Sequence, residues 1–97
     1  MAQVVYSARA LDHIDRAFQF LRDKDPAAAR SAVAAIQSAV DNLAAHPLVG
    51  RRVEGDLREL IISYGHSGYV ALYRFVVSQD EVRILAIRHQ REVGFLP

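Results

Sequence analysis

The sequence predicts an α+β fold in which a helical hairpin packs on a mostly antiparallel, four-stranded sheet. In the first half of the chain, apolar residues recur at the three- and four-residue spacing of helices. From residue 57 onward, three runs rich in β-branched and aromatic residues are separated by short polar connections. Connections of about four residues force neighbouring strands to be antiparallel. The expected order is β-α-α-β-β-β within a single domain, residues 1–97.

The start of the chain predicts a strand that leads directly into a helix. Gln3 to Tyr6 is a short β-rich run, and the next residue, Ser7, is of a type that caps helix N-termini. The first helix is therefore expected from about Ala8 to Asp23. Its apolar stripe, at helical spacing, consists of Leu11, Ile14, Phe18 and Leu21.

A second helix is predicted to begin after Asp25, because aspartate caps a first turn and Pro26 loses no hydrogen bond there. It is expected to end at His46-Pro47, since the residue before a proline disfavours the helical conformation. A break of about two residues makes the two helices an antiparallel hairpin. The apolar stripe of the second helix consists of Ala29, Val33, Ile36, Val40 and Leu43.

Three strands are predicted in the second half of the chain. Gly50 and Gly55 indicate that residues 47–56 are irregular, with Arg51-Arg52 as a solvated loop pair. The strands that follow are Leu57 to Tyr64, Tyr69 to Val77 and Val82 to His89.

The last hairpin is expected to have two apolar faces if Val77 lies opposite Val82. One face would hold Leu72, Arg74, Val76, Arg83, Leu85, Ile87 and His89. The other would hold Tyr73, Phe75, Val77, Val82, Ile84, Ala86 and Arg88. One helical hairpin covers only one face, so the second is expected to be an interaction surface. The alternative is that the helices and the loop at residues 47–56 cover most of it.

Composition excludes several classes of function. Eleven arginines and one lysine are nearly balanced by eleven acidic residues, so charge alone does not predict nucleic-acid binding. The absence of cysteine removes disulfides and thiolate chemistry. The four histidines are scattered over different elements, which predicts no metal site, and no motif indicates a cofactor. Without a leader or a long apolar run, we expect a soluble cytoplasmic protein that does not enter the membrane.

Three segments, in the correct order, resemble the RelE/ParE toxins. They read YSARALDHIDRAFQFL, then HPLVGRRVEG with LREL, and finally GYVALYRF with VRILAIRHQRE. The resemblance covers nearly the whole chain, and the middle and last segments are its most specific parts. It implies a toxin encoded beside an antitoxin whose C-terminal segment wraps it. RelE-like members are ribosome-dependent messenger RNA ribonucleases, whereas ParE-like members are associated with inhibition of DNA gyrase.

By this resemblance, the chain is expected to be a ParE-like toxin that binds and inhibits DNA gyrase and is neutralised by a ParD-like antitoxin. The ribonucleases of the superfamily usually carry arginine after the Gly-Tyr of the middle strand, where this chain has Val70. They tend to use lysines on the preceding strand, which are missing here, and Phe95 in the tail cannot exchange a proton. Two alternatives remain. One is a ribonuclease, with direct nucleic-acid contact, that uses Arg88, His89 and Arg91; the other is a degenerate member that has lost toxicity.

Two sets of binding residues are predicted. The candidates for contact with the target are Arg58, Arg74, Arg88, His89, Arg91 and Phe95. The candidates for contact with the antitoxin are Leu11, Phe18, Leu21, Arg74, Leu85 and Ile87, the helical ones only if the core does not use them. Structural roles stay open for several residues. His89 can hydrogen-bond to the backbone at a strand end, and Arg74 can pair with Glu59 or with an acid of the antitoxin.

Overall fold

A strand, two helices and four further strands follow one another along the chain, in a computed structural model that describes residues 1–97. The elements are β1 (Gln3–Tyr6), α1 (Ala8–Arg22), α2 (Pro26–Asp41), β2 (Arg51–Glu54), β3 (Leu57–Tyr64), β4 (Ser67–Val76) and β5 (Glu81–His89). The sheet order is β1-β5-β4-β3-β2, with β1 parallel to β5 and every other pair antiparallel. The predicted α+β class is confirmed.

The sheet has five strands, so the prediction of four was wrong. Residues 51–54, expected to be irregular, form the edge strand β2, in which Arg51 lies opposite Glu59. Gly55 adopts a positive φ of 53° in the tight turn between β2 and β3. Gly55 therefore closes a hairpin instead of marking irregular structure. The sequence does not reveal β2, because its four residues are too few and too polar to show a strand pattern.

Both helix starts are confirmed by their caps. The Ser7 hydroxyl oxygen accepts a hydrogen bond from the Ala10 N–H at 3.0 Å. The Asp25 carboxylate accepts from the N–H groups of Ala27 and Ala28 at 3.1 and 3.2 Å. Each cap satisfies donors that a helix N-terminus leaves unpaired. Neither helix has the length and apolar character needed to cross a membrane.

The register of the β4–β5 hairpin differs from the predicted one. Val82 lies opposite Phe75 instead of Val77, and a β-bulge at Leu85 separates the Tyr73–Ile84 pair from the Leu72–Ala86 pair. Because of the extra residue, each side chain of β5 after the bulge lies on the face of the sheet opposite to the predicted one. Ile87 and His89 therefore share the helix-covered face with Tyr73, whereas Ala86 and Arg88 lie on the opposite face, which we call the outer face.

The core lies between the two helices and the inner face of the sheet. The predicted stripe is largely confirmed, since Ile36 and Val40 in α2 and Leu43 in the 3₁₀ turn after it (Asn42–Ala44) are fully buried. In α1 the prediction was wrong for Leu11, which is 54% exposed, whereas Ala10 and His13 are the buried residues. The alanines on α1 and α2 allow the helices to approach the sheet and each other closely. Ala10, Ala29 and Ala32 are all at most 1% exposed.

Tyr73 ties the loop after α2 to the core. Its hydroxyl accepts a hydrogen bond from the Gly50 N–H at 2.8 Å, inside the protein. A side chain at position 50 would lie 2.5 Å from that hydroxyl, so only glycine permits the contact. Arg58 holds the same loop from outside, donating to the carbonyls of Gly50 at 2.8 Å and Leu48 at 3.1 Å. The HPLVGRR segment thus supplies, at Gly50, the backbone N–H that binds the hydroxyl of the buried Tyr73.

Replacing Tyr73 by phenylalanine should lower the free energy of unfolding by about 1 to 3 kcal/mol, because the buried Gly50 N–H would lose its acceptor. Urea denaturation measures the change. Tyr64→Phe is the matched control, since the Tyr64 hydroxyl donates to the Ala28 carbonyl at 2.9 Å in a half-buried place that water can reach. Equal losses for the two variants would contradict the special role of Tyr73.

Stability should fall as the pH rises beyond about 10. Burial raises the pKa values of Tyr6, Tyr69 and Tyr73 above the ordinary 10.0. The unfolded chain therefore loses these protons at lower pH than the folded chain, and unfolding is favoured once the ordinary pKa is passed. Urea midpoints measured between about pH 8 and pH 11 should show this decline, with a smaller slope for Tyr73→Phe. A flat profile would refute the assignment.

Candidate functional site

A cleft of about 620 Å³ opens between α1 and the C-terminal end of β5 with the residues that follow it. We call it the α1 cleft. Its apolar part is formed by Ala17, Phe20, Tyr69, Ile87 and Leu96. Its polar part is formed by His13, Arg16, Arg88, His89, Arg91 and Glu92. A smaller cavity of about 280 Å³ adjoins it over the β3–β4 turn and shares Phe20, Tyr69 and His89. The predicted residues Arg88, His89 and Arg91 thus meet in one place.

Both ring nitrogens of His89 are engaged within the protein. Its Nδ1 accepts a hydrogen bond from the Arg91 N–H at 3.1 Å, so the neutral ring carries its proton on Nε2. Nε2 donates to the Ser67 hydroxyl at 2.9 Å, and the ring meets Tyr69 edge-on at 5.5 Å. The backbone N–H of His89 is bound by the Glu92 carboxylate at 2.9 Å. These contacts therefore fix the position of the His89 ring at the end of β5.

Arg88 is also engaged. Its guanidinium donates to the carbonyls of His89, Gln90 and Glu92 at 3.2, 3.3 and 2.9 Å, and lies 5.2 Å from the centre of the Phe95 ring. Arg88 and Phe95 therefore shape the C-terminal tail, residues 90–97. In contrast, the Arg91 side chain is exposed and has no hydrogen-bond or ion-pair partner. Of the three residues proposed for a ribonuclease, only Arg91 has its functional group free.

His13 is one of the residues of the α1 cleft that the sequence did not reveal as a site residue. It is 5% exposed on α1; its Nδ1 accepts from the Ile87 N–H at 3.0 Å, and its Nε2 donates to the Leu96 carbonyl at 2.9 Å. Arg9 donates to the same carbonyl at 2.7 Å. Pairing with β1 ends at Ile84, so the rest of β5 is a free edge, and its Leu85 carbonyl accepts from the Ser7 hydroxyl at 3.0 Å. The only signal in the sequence was helical spacing from Ala10 to His13.

The arginines predicted to contact the target are separated by the fold. Arg58 holds the loop after α2, away from the α1 cleft. Arg74 lies on the outer face, and its predicted pairing with Glu59 was wrong, because Glu59 pairs with Arg51 at 2.9 Å. Arg74 lies 3.3 Å from the Asp56 carboxylate, although its Nε makes no well-aligned hydrogen bond there. An antitoxin acid thus remains a prediction for Arg74.

The residues predicted to contact the antitoxin differ in exposure, and only some of them lie on the surface. Leu11 is exposed, Phe18 is half-buried and Leu21 packs against the core. Leu85 is half-buried at the bulge, whereas Ile87, predicted beside it, is in the core because the bulge turned it inward. Ile87 is therefore not available on the surface of the sheet. Phe20, which the sequence analysis did not single out, is 62% exposed and lines both cavities.

The outer face is less apolar on its surface than predicted. Val70 and Ala86 lie on it but are at most 2% exposed. The exposed apolar residues that remain there are Val5 and Ile61, at 37% and 55%. Ion pairs occupy much of the rest, since Arg51, Arg74 and Arg83 face Glu59, Asp56 and Glu81. Leu57, Leu72 and Val76 lie half-buried on the same face, so the predicted second apolar face is present, but Val5 and Ile61 are its only largely exposed apolar residues.

The sequence as a whole matches a known family. The profile described as the ParE toxin of type II toxin–antitoxin systems, parDE, matches residues 4–94. The chain belongs to this family. It is therefore a toxin of a type II toxin–antitoxin system within the RelE/ParE superfamily, as the resemblance implied.

Curated relatives of this ParE-family toxin carry RelE names. Toxin RelE3 of Caulobacter vibrioides is 38% identical over 92 residues, which cover 95% of this chain and 98% of that protein. Toxin RelE1 of the same organism is 35% identical over 79 residues, which cover 81% and 85%. The relatives span nearly the same length as this toxin, and their RelE names differ from the ParE family model, so the two comparisons together do not separate the branches.

Solved structures share the fold. The chromosomal ParDE system from P. aeruginosa superposes with a TM-score of 0.77 at 24% identity, covering 92% of this toxin and 96% of that chain. The intact E. coli RelBE toxin–antitoxin complex gives a TM-score of 0.64 at 13% identity, covering 95% and 100%. Both branches of the superfamily therefore have this architecture, and fold alone does not identify the target.

Replacing His13 by leucine should destabilise the toxin by about 1 to 3 kcal/mol, because the buried Ile87 N–H loses its acceptor. The Leu96 carbonyl also loses a donor, so the C-terminal tail should exchange amide hydrogens and be cleaved by protease faster. Hydrogen exchange and limited proteolysis measure this. His66→Leu, at an exposed position on the β3–β4 turn, is the control. Unchanged protection of Ile87 and of the tail would contradict the assigned role.

Proposed function

We propose that this toxin arrests growth by binding a protein, DNA gyrase, and that RNA cleavage is not its activity. The observation that carries the proposal is the engagement of His89: both of its ring nitrogens are occupied by groups of the same chain. A general acid or base must reach a proton of the substrate. His89 is held at the backbone of Arg91 and at Ser67 instead.

The phosphate-binding groups that RNA cleavage requires are also scarce. Such a reaction needs cations that stabilise the charge developing on the phosphate. Val70, where the resembling ribonucleases carry arginine, is an apolar residue that is 2% exposed. The guanidinium of Arg88 is bound to three backbone carbonyls. Arg91 alone offers an unengaged guanidinium in the α1 cleft, which suits a contact with an acidic group of a partner better than a catalytic set.

A ParD-like antitoxin encoded alongside the toxin is the proposed regulator, and the cytoplasm, where gyrase acts, is the proposed location. Membership of a toxin–antitoxin family supports a cognate antitoxin. The surface offered to it is the side of α1 that carries Leu11 and Phe18, together with Leu85 at the bulge of β5 and Arg74 on the outer face. Leu11 is 54% exposed, which suits an apolar contact with a partner that folds as it binds.

A ribosome-dependent ribonuclease is the second candidate. It is favoured by the RelE names of the Caulobacter relatives at 33% to 38% identity. On that hypothesis Arg91 and His89 would have to act after a rearrangement that frees the histidine ring. The two candidates differ in which cellular process stops first.

Inducible expression in a susceptible bacterium, with DNA and protein synthesis labelled separately, tests the proposal. We expect DNA synthesis to stop first, expression of the adjacent antitoxin gene to restore it, and purified toxin to inhibit supercoiling by gyrase. An early arrest of protein synthesis with cleaved messenger RNA would establish the ribonuclease instead. Strong expression without any effect on growth would indicate a member that has lost toxicity.

The variant His89→Gln separates the two activities within the same experiment. Glutamine can donate to Ser67 but cannot shuttle a proton, so a ribonuclease using His89 would lose activity by about 100-fold or more. On the gyrase proposal the variant still arrests DNA synthesis, with a loss no larger than its lower stability explains. Thermal denaturation of the purified variant supplies that correction.

A further inference from the structure

We propose that the α1 cleft is the surface through which this toxin contacts gyrase, and that it receives an acidic segment of that enzyme carrying a large apolar side chain. The inference rests on the proposed function and adds the place and the chemistry of the contact. Four features of the α1 cleft support it: an exposed aromatic ring, two available arginines, a fixed wall and the position of the cleft on α1.

Phe20 is the apolar anchor of the α1 cleft. Its side chain is 62% exposed and lines both cavities, and Ala17, Tyr69 and Ile87 add apolar surface to the larger one. Protein interfaces usually have an apolar centre in which an aromatic side chain of one partner is buried by the other. A recess of about 620 Å³ around such a ring has room for a large apolar side chain of a partner.

The charge of the lining favours an acidic partner. Three arginines and one glutamate contribute to it, and that glutamate, Glu92, already accepts a hydrogen bond from the His89 N–H. The Arg91 side chain has no partner, and Arg16 has only an exposed ion pair with Asp12, one turn away on the same helix. Such surface pairs are weak, and a carboxylate of a partner that binds a guanidinium through two hydrogen bonds can replace them.

The wall opposite α1 is fixed by hydrogen bonds within the toxin. The His13 ring accepts from the Ile87 N–H and donates to the Leu96 carbonyl, and so joins α1, β5 and the C-terminal tail. The Arg91 N–H donates to Nδ1 of His89, so the backbone of Arg91 is held while its guanidinium stays free. Binding therefore requires little ordering of the toxin, which favours affinity.

The α1 cleft and the surface proposed for the antitoxin lie on opposite sides of α1. From Leu11 to Phe20 the helix makes about two and a half turns, so these two side chains point in opposite directions. Phe18 lies about two turns after Leu11 and shares its side, whereas Arg16 lies about one turn before Phe20, on the side of the cleft. The cleft is therefore free for the target, and its residues can be changed without touching the antitoxin surface.

Binding of the full-length toxin to purified gyrase holoenzyme without DNA, measured beside the inhibition of supercoiling, tests the inference. Phe20→Ala and Arg91→Ala should each raise the dissociation constant and the half-inhibitory concentration about tenfold. Arg91→Glu should raise both further, because it places a like charge against the acidic segment. Glu92→Gln should lower both about twofold to fivefold, because it removes such a charge. The matched controls, which should match the wild-type toxin, are Leu48→Ala and Arg30→Ala, at exposed positions outside the α1 cleft.

Thermal denaturation and binding of the antitoxin encoded by the adjacent gene should be unchanged in the Phe20 and Arg91 variants, which shows that they are folded. If wild-type toxin inhibits gyrase and these variants behave like the controls, the inference is overturned and the proposed function stands. If wild-type toxin neither binds nor inhibits gyrase, the proposed function fails and the inference fails with it.

Two further results would overturn the inference while gyrase remains the target. Folded variants that lose antitoxin binding together with gyrase binding would assign the α1 cleft to the antitoxin. Binding to gyrase only in the presence of DNA would exclude an acidic protein segment as the occupant of the cleft.

Discussion

The free edge of β5 is the constraint on which the C-terminal half of this toxin depends. β1 is too short to pair with all of β5, and an unpaired edge invites contacts with other chains. α1 satisfies this edge with side chains, the Ser7 hydroxyl and the His13 ring, and His13 also binds the C-terminal tail. One buried histidine therefore joins the sheet, a helix and the tail, and the α1 cleft exists because these three parts are held together.

The side chains near the chain end that look reactive are likewise held by hydrogen bonds within the chain. His89 and Arg88 have the chemistry of a phosphate site, yet their polar groups complete the hydrogen bonding of the turn after β5. Buried or half-buried backbone groups need partners, and in so small a domain the side chains near the chain end supply them. What remains free is a small set around the α1 cleft, Arg91 and Phe20, and the exposed side of α1 at Leu11.

Local signals were sufficient for most of the fold. Ser7 and Asp25 are caps whose effect extends over one turn, and β3 and β4 are rich in the β-branched and aromatic residues that favour strands, so these elements could be predicted. β2 could not, since its four residues acquire a strand conformation only by pairing with β3. The bulge at Leu85 could not be predicted from the sequence either. It depends on how β5 fits between β4 and the start of α1, and one extra residue moved Ile87 and His89 to the other face.

The sequence by itself determined the family, the α+β class, the helix starts and the presence of arginines and a histidine near the chain end. These follow from residue types and short-range spacing. Only the tertiary structure decided which of those groups are free. Whether a guanidinium or an imidazole can meet a partner depends on hydrogen bonds between residues far apart in the chain, such as His13 with Ile87 and Tyr73 with Gly50. Such pairs produce no repeating pattern in the sequence. Each joins two elements whose own sequence patterns say nothing about how the elements pack together.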